Sequence, residues 1–272
     1  MNSPCEILLD GSDARLASEL LAIAVQEAER IENKYSRYRK NTVVEQINSA
    51  AGQAVEVDEE TAGLLDFAAQ CFAISEGLFD ITTGVLRQVW RFEGGEATPS
   101  QQKLDSLRHR MGWDKVIWNR PTLQMPAGFE IDLGGICKEY AADRILNLLK
   151  THTTKALVVN LGGDLAATGS RTWSVGIDDA SGPGQVLRTV PIRQGAIATS
   201  GTTRRFTKLG GQTLGHILNP KTGWPVQEAP RSVTVAAATC TEAGLWSTLA
   251  ILQGANAESF LQANGLEFWC TR

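Results

Sequence analysis

The sequence predicts an α+β fold, in which one layered domain has a core of mixed or antiparallel β-sheet flanked by helices. Helical patterns come first along the chain, and the later strand-like runs alternate only partly with helices. No GxGxxG motif follows an early strand, which argues against a doubly wound nucleotide-binding sheet. No internal repeat or low-complexity segment divides the chain, so we expect residues 1–272 to form a single domain.

The elements follow from local patterns. Ser12 or Asp13 can cap a first helix with a regular apolar face, and residues 61–74 form a second helical pattern. A third long helix begins near Thr241, and a shorter one ends at Gly265 before a strand-like stretch at 266–269. The remaining strand candidates are rich in β-branched and small residues and cover 156–161, 173–177, 195–199 and 232–236.

Composition excludes several classes of function. The net charge of −4 and a pI near 5.5 provide no global attraction for nucleic acid. No apolar run approaches the roughly 20 residues that span a bilayer, and MNSPCEILLD lacks the features of a signal peptide. As written, the chain is therefore expected to be cytoplasmic. Its five cysteines are widely spaced without a CxxC pair, so neither a disulfide framework nor a zinc site is predicted.

The segment FEIDLGGICKEYAADRILNLL, residues 129–149, carries the strongest local signal of chemistry. A strand-like run ends at Asp132, the pair Gly134 and Gly135 follows, and Lys138 lies in the first turn of a helix. Free N–H groups at a helix N-terminus, with a lysine beside them, can hold a phosphate or diphosphate. Asp132 could then bind a ribose hydroxyl, a base or a metal. An equally good interpretation is a strand-to-helix turn whose glycines adopt positive φ and whose lysine is solvated.

Four other polar clusters lie at predicted strand ends or turns, where a rigid scaffold often displays functional groups. Each alone is a weak signal, because an ordinary surface turn explains it as well. The clusters are GLFDITTGVL, VNLGGDLAATG, AIATSGTTRRF and GHILNPKTGWPV.

Taken together, such segments resemble the FAD:protein FMN transferase family, also called ApbE or flavin transferases, over nearly the whole chain. Seven stretches occur in one order with compatible spacing, namely SRYRKNTVVEQIN, GLFDITTGVLRQVWRF, IDLGGICKEYAADR, LVVNLGGDLAATG, AIATSGTTRRF, HILNPKTGWPV and SVTVAAATCTEAGLWSTLA. The resemblance implies an α+β fold with the flavin nucleotide in a cleft between layers. It also implies an enzyme that cleaves the diphosphate of FAD with Mg²⁺, attaches FMN to a Ser or Thr hydroxyl of an acceptor flavoprotein and releases AMP.

Carried over residue by residue, the resemblance implies which groups contact FAD. Aromatic side chains would offer flat apolar surface to its rings, and Lys138 would lie opposite the diphosphate. The implied contacts are Met1, Tyr38, Leu78, Phe79, Asp80, Asp132, Lys138 and Ile217. We add Asp164 as a candidate for ordering the catalytic site. His216 is a candidate for proton transfer, although a histidine bonded within the sheet explains it equally well.

The implied metal site departs from the family pattern. Gly135 would offer a backbone carbonyl and Thr248 a hydroxyl, but Gly244 stands where the family usually has an aspartate. Because Mg²⁺ usually binds at least one carboxylate, this loss should weaken the site, unless Glu242 reaches it from a helix that starts later. A second departure is Glu139, where many members have glycine. Its carboxylate would repel the diphosphate unless it faces away or helps to hold the metal.

Three functions remain open from the sequence. The leading one is transfer of FMN from FAD to an acceptor protein, a redox subunit with a Ser or Thr flavinylation site. The alternatives are a non-catalytic FAD-binding protein, favoured by Gly244, and a Mg²⁺-dependent FAD diphosphatase with water as acceptor. Family members are commonly exported lipoproteins, so the resemblance leaves the location of this chain open.

Overall fold

Helices and strands follow one another irregularly along the chain in the computed structural model, which describes residues 3–11, 13–96, 99–179, 185–202 and 205–272. The α-helices are α1 (Ala14–Tyr35), α2 (Val43–Ser49), α3 (Glu59–Ile74), α4 (Gln101–Arg108), α5 (Cys137–Leu149), α6 (Cys240–Leu252) and α7 (Ala257–Ala263). The strands are β1 (Cys5–Leu9), β2 (Ala54–Glu56), β3 (Ile117–Asn119), β4 (Thr122–Gln124), β5 (Leu157–Leu161), β6 (Asp164–Thr168), β7 (Trp173–Asp178), β8 (Val186–Ile192), β9 (Gly195–Gly201), β10 (Phe206–Leu209), β11 (Gln212–Gly215), β12 (Ser232–Ala237) and β13 (Glu267–Thr271).

A six-stranded sheet with the order β1-β5-β6-β9-β12-β13 forms the centre of the fold. All of its neighbouring strands pair antiparallel. Smaller sheets are formed by β2, β3 and β4, by β7 and β8, and by β10 and β11. The α+β class predicted from the sequence is thereby confirmed.

The two faces of the central sheet are covered differently. Side chains alternate along β5, so Leu157 and Val159 join the main core, which includes Ile145 of α5. Val158 points to the opposite face, where it belongs to a second apolar cluster with residues of β7 and β8. Helices α5 and α6 therefore lie on one face of the sheet and the β7–β8 hairpin on the other.

A partly buried ionic network joins α1, α3 and α5. The carboxylate of Glu60 in α3 accepts hydrogen bonds from Arg30, at 2.6 and 2.8 Å, and from Lys34 at 2.7 Å, both in α1. The hydroxyl of Tyr140 in α5 donates to the same carboxylate at 2.8 Å. These bonds, those of Arg30 above all, lower the pKa of Glu60. They also fix the rotation of α5 about its axis.

Most predicted elements agree with the structure to within a few residues. Asp13 caps α1 by accepting from the Leu16 N–H at 3.0 Å, whereas Ser12 lies outside the described residues. Gly265 follows α7 with a φ of +68°, as expected for a glycine that ends a helix. The strand predicted to end at Asp132 is wrong, because residues 129–132 contain only an isolated bridge between Glu130 and Thr83.

No helix within the described ranges is both long and apolar enough to cross a membrane.

Candidate functional site

The glycine turn before α5 is organised by Asp132. Its Oδ1 accepts a hydrogen bond from the Gly134 N–H at 2.9 Å, and its Oδ2 pairs with Arg37 at 2.8 Å. The N–H groups of Ile136 and Cys137 bond to the Leu133 carbonyl. Several N–H groups that the sequence left free for a phosphate are therefore used within the turn. The alternative interpretation, a turn whose glycines adopt positive φ, is also wrong in part, since neither Gly134 nor Gly135 has a positive φ.

Lys138 connects the start of α5 to the central sheet. Its ammonium forms an ion pair with Oδ2 of Asp164, the first residue of β6, whose side chain is 2% exposed. Oδ1 of Asp164 accepts a hydrogen bond from the Thr199 N–H in β9 at 2.8 Å. Burial opposes the positive charge of Lys138, but the Asp164 and Glu139 carboxylates outweigh it, so the pKa of Lys138 is raised. Lys138 is thus neither simply solvated nor unpaired.

Glu139 packs directly on Gly244 of α6. A Cβ atom built on Gly244 would lie 2.5 Å from Cγ and 3.1 Å from Cδ of Glu139. The Glu139 side chain is 13% exposed, and its Oε2 atom is buried without a hydrogen-bond partner among the described residues. Burial, reinforced by the neighbouring charge of Asp164, raises the pKa of Glu139 above the usual glutamate range.

The structure corrects the prediction for Glu242. Helix α6 begins at Cys240, with Thr239 as its cap, so the late helix start that would have brought Glu242 to the site does not occur. The Glu242 N–H is part of this cap and donates to the Thr239 hydroxyl at 3.2 Å. Glu139 is the carboxylate that lies against Gly244.

Hydroxyl groups line the next turn of α6. Thr248 follows Gly244 by four residues and so lies on the same face of the helix. Its Oγ1 forms a hydrogen bond of 2.9 Å with the hydroxyl of Ser200 in β9, and the same hydroxyl bonds Ser247 at 2.8 Å. Within the described residues no cluster of three or more His, Cys, Asp or Glu is suited to hold a metal. Any cation here would need hydroxyl or carbonyl oxygens as well.

The residues Leu78, Phe79 and Asp80 form a largely buried turn. Asp80 is 9% exposed, and its Oδ1 accepts from the N–H and the hydroxyl of Thr82 at 2.8 and 2.7 Å. Burial raises the pKa of Asp80. Phe79 is 7% exposed, with its Cζ 3.7 Å from a Cβ built on Gly135. Phe79 thus supports the glycine turn from inside, the Asp80 carboxylate is bonded to Thr82 within its own loop, and Leu78 is half-buried.

Tyr38 lies at the surface beside Arg37 and is 77% exposed. The guanidinium carbon of Arg37 lies 5.0 Å from the centre of its ring, and Nη2 of Arg37 donates to its hydroxyl at 3.1 Å. Arg37 therefore bridges Tyr38 and Asp132. Sequence reasoning missed this role, because only the fold brings the basic SRYRK stretch next to a residue so distant in the chain. Met1 lies outside the described residues.

His216 lies beyond the end of β11, next to an aromatic cluster. Its ring centre is 6.3 Å from that of Phe92, which stacks on Trp90 at 6.1 Å. Burial, followed by the charge of Arg205, lowers the pKa of His216 to about 4, and its buried Nδ1 has no hydrogen-bond partner in the described part of the chain. His216 is therefore neutral at pH 7, with one ring nitrogen unoccupied.

Ile217, an implied FAD contact, lies outside the regular strands. Strand β11 ends at Gly215, and the next pairing is an isolated bridge between Leu218 and Pro225. Ile217 is half-buried and packs against the main core.

Comparisons with known proteins agree on one family. A model described as the ApbE family matches residues 1–269. An FAD:protein FMN transferase of Klebsiella pneumoniae (strain 342) is 30% identical over 92% of this chain and 79% of its own length. A protein of the same name from Escherichia coli (strain K12) is 28% identical over 95% of this chain and 78% of its own.

Solved structures extend the agreement to the fold. The ApbE protein of Thermotoga maritima superposes with a TM-score of 0.87 at 28% identity, covering 97% of this chain and 88% of its own. The flavinyl transferase ApbE of Pseudomonas stutzeri gives a TM-score of 0.81 at 22% identity, covering 99% of this chain and 91% of its own.

Proposed function

The chain belongs to the ApbE family, and from this premise we propose that it is an FAD:protein FMN transferase. In the proposed reaction, a Ser or Thr hydroxyl oxygen of an acceptor flavoprotein attacks the FMN phosphorus of FAD. A new P–O bond forms, the bond to the bridging diphosphate oxygen breaks, and AMP leaves. We further propose that residues 1–272 form one domain that catalyses this reaction. The proposed acceptor protein is a redox subunit.

The observation that carries this proposal is the position of Lys138. Its ammonium is held by Asp164 at the N-terminus of α5, and 34% of its side chain stays exposed. A lysine beside a helix N-terminus attracts anions, and a fixed positive charge stabilises the charge that develops on a phosphoryl group in the transition state. Asp164 thus serves to position Lys138.

Some of the proposed FAD contacts are exposed and can touch the ligand directly, whereas others are buried. Tyr38 has an exposed ring face, and Leu78 and Ile217 are half-buried, so each has surface to offer a ligand. Asp132 is 33% exposed and is held by Arg37. Phe79 and Asp80 are buried, and Phe79 packs beneath Gly135, so these two residues would shape the wall of the cleft. Met1 remains a proposed contact as well.

The residues present fit a magnesium ion. The proposed oxygen ligands are the Thr248 hydroxyl, the Gly135 carbonyl and the carboxylate of Glu139, whose buried Oε2 has no hydrogen bond in the described residues. Hard oxygen ligands of this kind, together with substrate phosphates, are typical of Mg²⁺ sites. Bound there, Mg²⁺ would neutralise charge on the diphosphate of FAD.

His216 is the proposed proton acceptor. Its unpartnered Nδ1 and lowered pKa keep a lone pair available at neutral pH. The proton lost by the attacking hydroxyl would move to this nitrogen.

The proposal is tested by incubating the purified chain with FAD, with and without Mg²⁺, and with a peptide that carries a Ser or Thr in an acceptor sequence. We expect Mg²⁺-dependent AMP and a peptide heavier by one FMN phosphoester. A peptide with alanine at that position is the matched control. AMP and free FMN without labelled peptide would indicate a diphosphatase instead, and intact bound FAD would indicate a non-catalytic binder.

A further inference from the structure

The cluster formed by Lys138, Glu139 and Asp164 has more acidic groups than basic ones. Two carboxyl groups lie beside one ammonium, with Asp164 2% and Glu139 13% exposed. The N-terminus of α5 adds roughly half an elementary charge, which leaves the ionised cluster negative. Buried charges without compensation are strongly unfavourable, so the ionised cluster requires a further cation.

The two carboxyl groups are not equally satisfied. Oδ1 of Asp164 accepts a hydrogen bond from the Thr199 N–H, and Oδ2, which has no hydrogen-bond partner in the described residues, is compensated by its close ion pair with the Lys138 ammonium. Glu139 has Oε1 4.0 Å from that ammonium and Oε2 buried without a hydrogen bond in the described residues. Buried polar atoms in native proteins nearly always have a partner, so the vacant Oε2 indicates a missing ligand.

Gly244 creates the space that Glu139 uses. Any side chain at position 244 would bring its Cβ 2.5 Å from the Glu139 Cγ, closer than carbon atoms approach without displacement. Position 244 also lies one turn before Thr248 on the same face of α6. The carboxyl group of Glu139 thus reaches from α5 to the face of α6 that carries the Thr248 hydroxyl.

From this geometry we propose that Glu139 is the carboxylate ligand of the divalent cation, acting with Thr248, and that Gly244 exists to admit it. A carboxylate that the family pattern places on α6 is supplied here from α5. The assignment rests on the proposed function for the identity of the cation, but its test does not depend on catalysis.

The experiment measures Mn²⁺ binding by electron paramagnetic resonance with the metal alone, in wild type, Glu139→Gln and Glu242→Gln. Loss of outer-shell partners already lowers metal affinity about 10- to 100-fold, so Glu139→Gln should lower it at least about tenfold. Glu242→Gln removes the same charge from the first turn of a neighbouring helix and should leave the affinity within about twofold. Wild-type affinity in Glu139→Gln, or a larger loss in Glu242→Gln, would overturn the assignment.

A swapped variant guards against a folding defect. Glu139→Gly combined with Gly244→Asp returns a carboxylate from α6 and removes the side chain that would collide with it, so Mn²⁺ affinity should recover relative to Glu139→Gly alone. Absence of recovery in a folded double variant counts against the proposal. FAD cleavage is assayed in parallel. If wild type binds Mn²⁺ through Glu139 but leaves FAD intact, the proposed function fails while the ligand assignment stands.

Discussion

The ionic cluster at the start of α5 predicts that two apparently equivalent substitutions differ in cost. Lys138→Met and Asp164→Asn each remove one partner of the same ion pair. After Lys138→Met, Asp164 remains as a buried carboxylate with no ammonium to compensate it. After Asp164→Asn, the amide oxygen still accepts from the Thr199 N–H, and Glu139, already 4.0 Å from Lys138, can ionise and replace the lost partner.

The magnitudes follow from burial. Removing one partner of a buried pair costs about 3–5 kcal/mol, and because 34% of the Lys138 side chain is exposed, we take the lower end, about 3 kcal/mol, for Lys138→Met. For Asp164→Asn, with the pair re-formed in a partly solvated setting, we expect about 1 kcal/mol. The difference of about 2 kcal/mol corresponds to roughly 4–8 °C in Tm for a chain of this size.

Thermal unfolding followed by circular dichroism at pH 7, in the presence of a chelator, measures this difference. Lys138→Met should unfold at the lower temperature of the two. The double variant tests the coupling, since the two costs should not add if the residues act on one another. An Asp164→Asn protein that is as unstable as Lys138→Met would refute the view that Glu139 can replace Asp164 as the partner of the lysine.

Three further outcomes are expected. Lys138→Ala should weaken FAD binding in titration calorimetry by about 1–3 kcal/mol, the value of a hydrogen bond to a charged group, and an unchanged Kd would remove the lysine from the diphosphate site. Glu60→Gln should lower the free energy of unfolding by about 2–4 kcal/mol at pH 7, because it breaks a bonded charge network. Since the pKa of Glu60 is lowered in the folded protein, its contribution is full above the usual glutamate range and is lost as the pH falls, so wild type and variant should converge in urea melts at acidic pH. His216→Ala should slow AMP release while leaving FAD affinity within about twofold. With Mg²⁺ saturating at every pH, so that protonation of Glu139 does not limit the rate, the wild-type rate should show no titration of a histidine near pH 6.5, because the pKa of His216 is lowered to about 4. A titration near pH 6.5 that disappears in His216→Ala would contradict the buried, neutral histidine.

The parts of the fold that the sequence predicts are those specified locally. Helix α3 and helix α6 have apolar periodicity and a capping residue before the first turn, Asp58 and Thr239, and both were placed to within about two residues. Strand β1 was missed because its five residues are recognised only through pairing with β5, from which helices α1 to α5 separate it in the sequence. Strand β2 likewise depends on a distant partner, β4, whereas β3 and β4 are neighbours in the sequence and were missed because three residues are too few to show a strand pattern.

The candidate site was predicted as a set of residues but not as a set of contacts. Asp164 and Lys138 were both singled out, yet nothing local states that one neutralises the other. Arg37 was missed because its partner Asp132 is distant in the chain. Glu139 and Gly244 were each noted as departures from the family pattern, and only the contact between α5 and α6 relates the two.

That contact also restricts how the sequence can change by single steps. Gly244→Asp on its own inserts a side chain where Glu139 already lies, and Glu139→Gly on its own leaves neither helix with the carboxylate. A scan of single substitutions would therefore score both positions as intolerant. The pair should nevertheless function in two combinations, the present Glu139 with Gly244 and the double variant Glu139→Gly with Gly244→Asp. Moving the carboxylate from position 139 in α5 to position 244 in α6 therefore requires both substitutions, because each single variant is expected to be defective. Sequences that descend from this chain by single substitutions should keep Glu139 and Gly244.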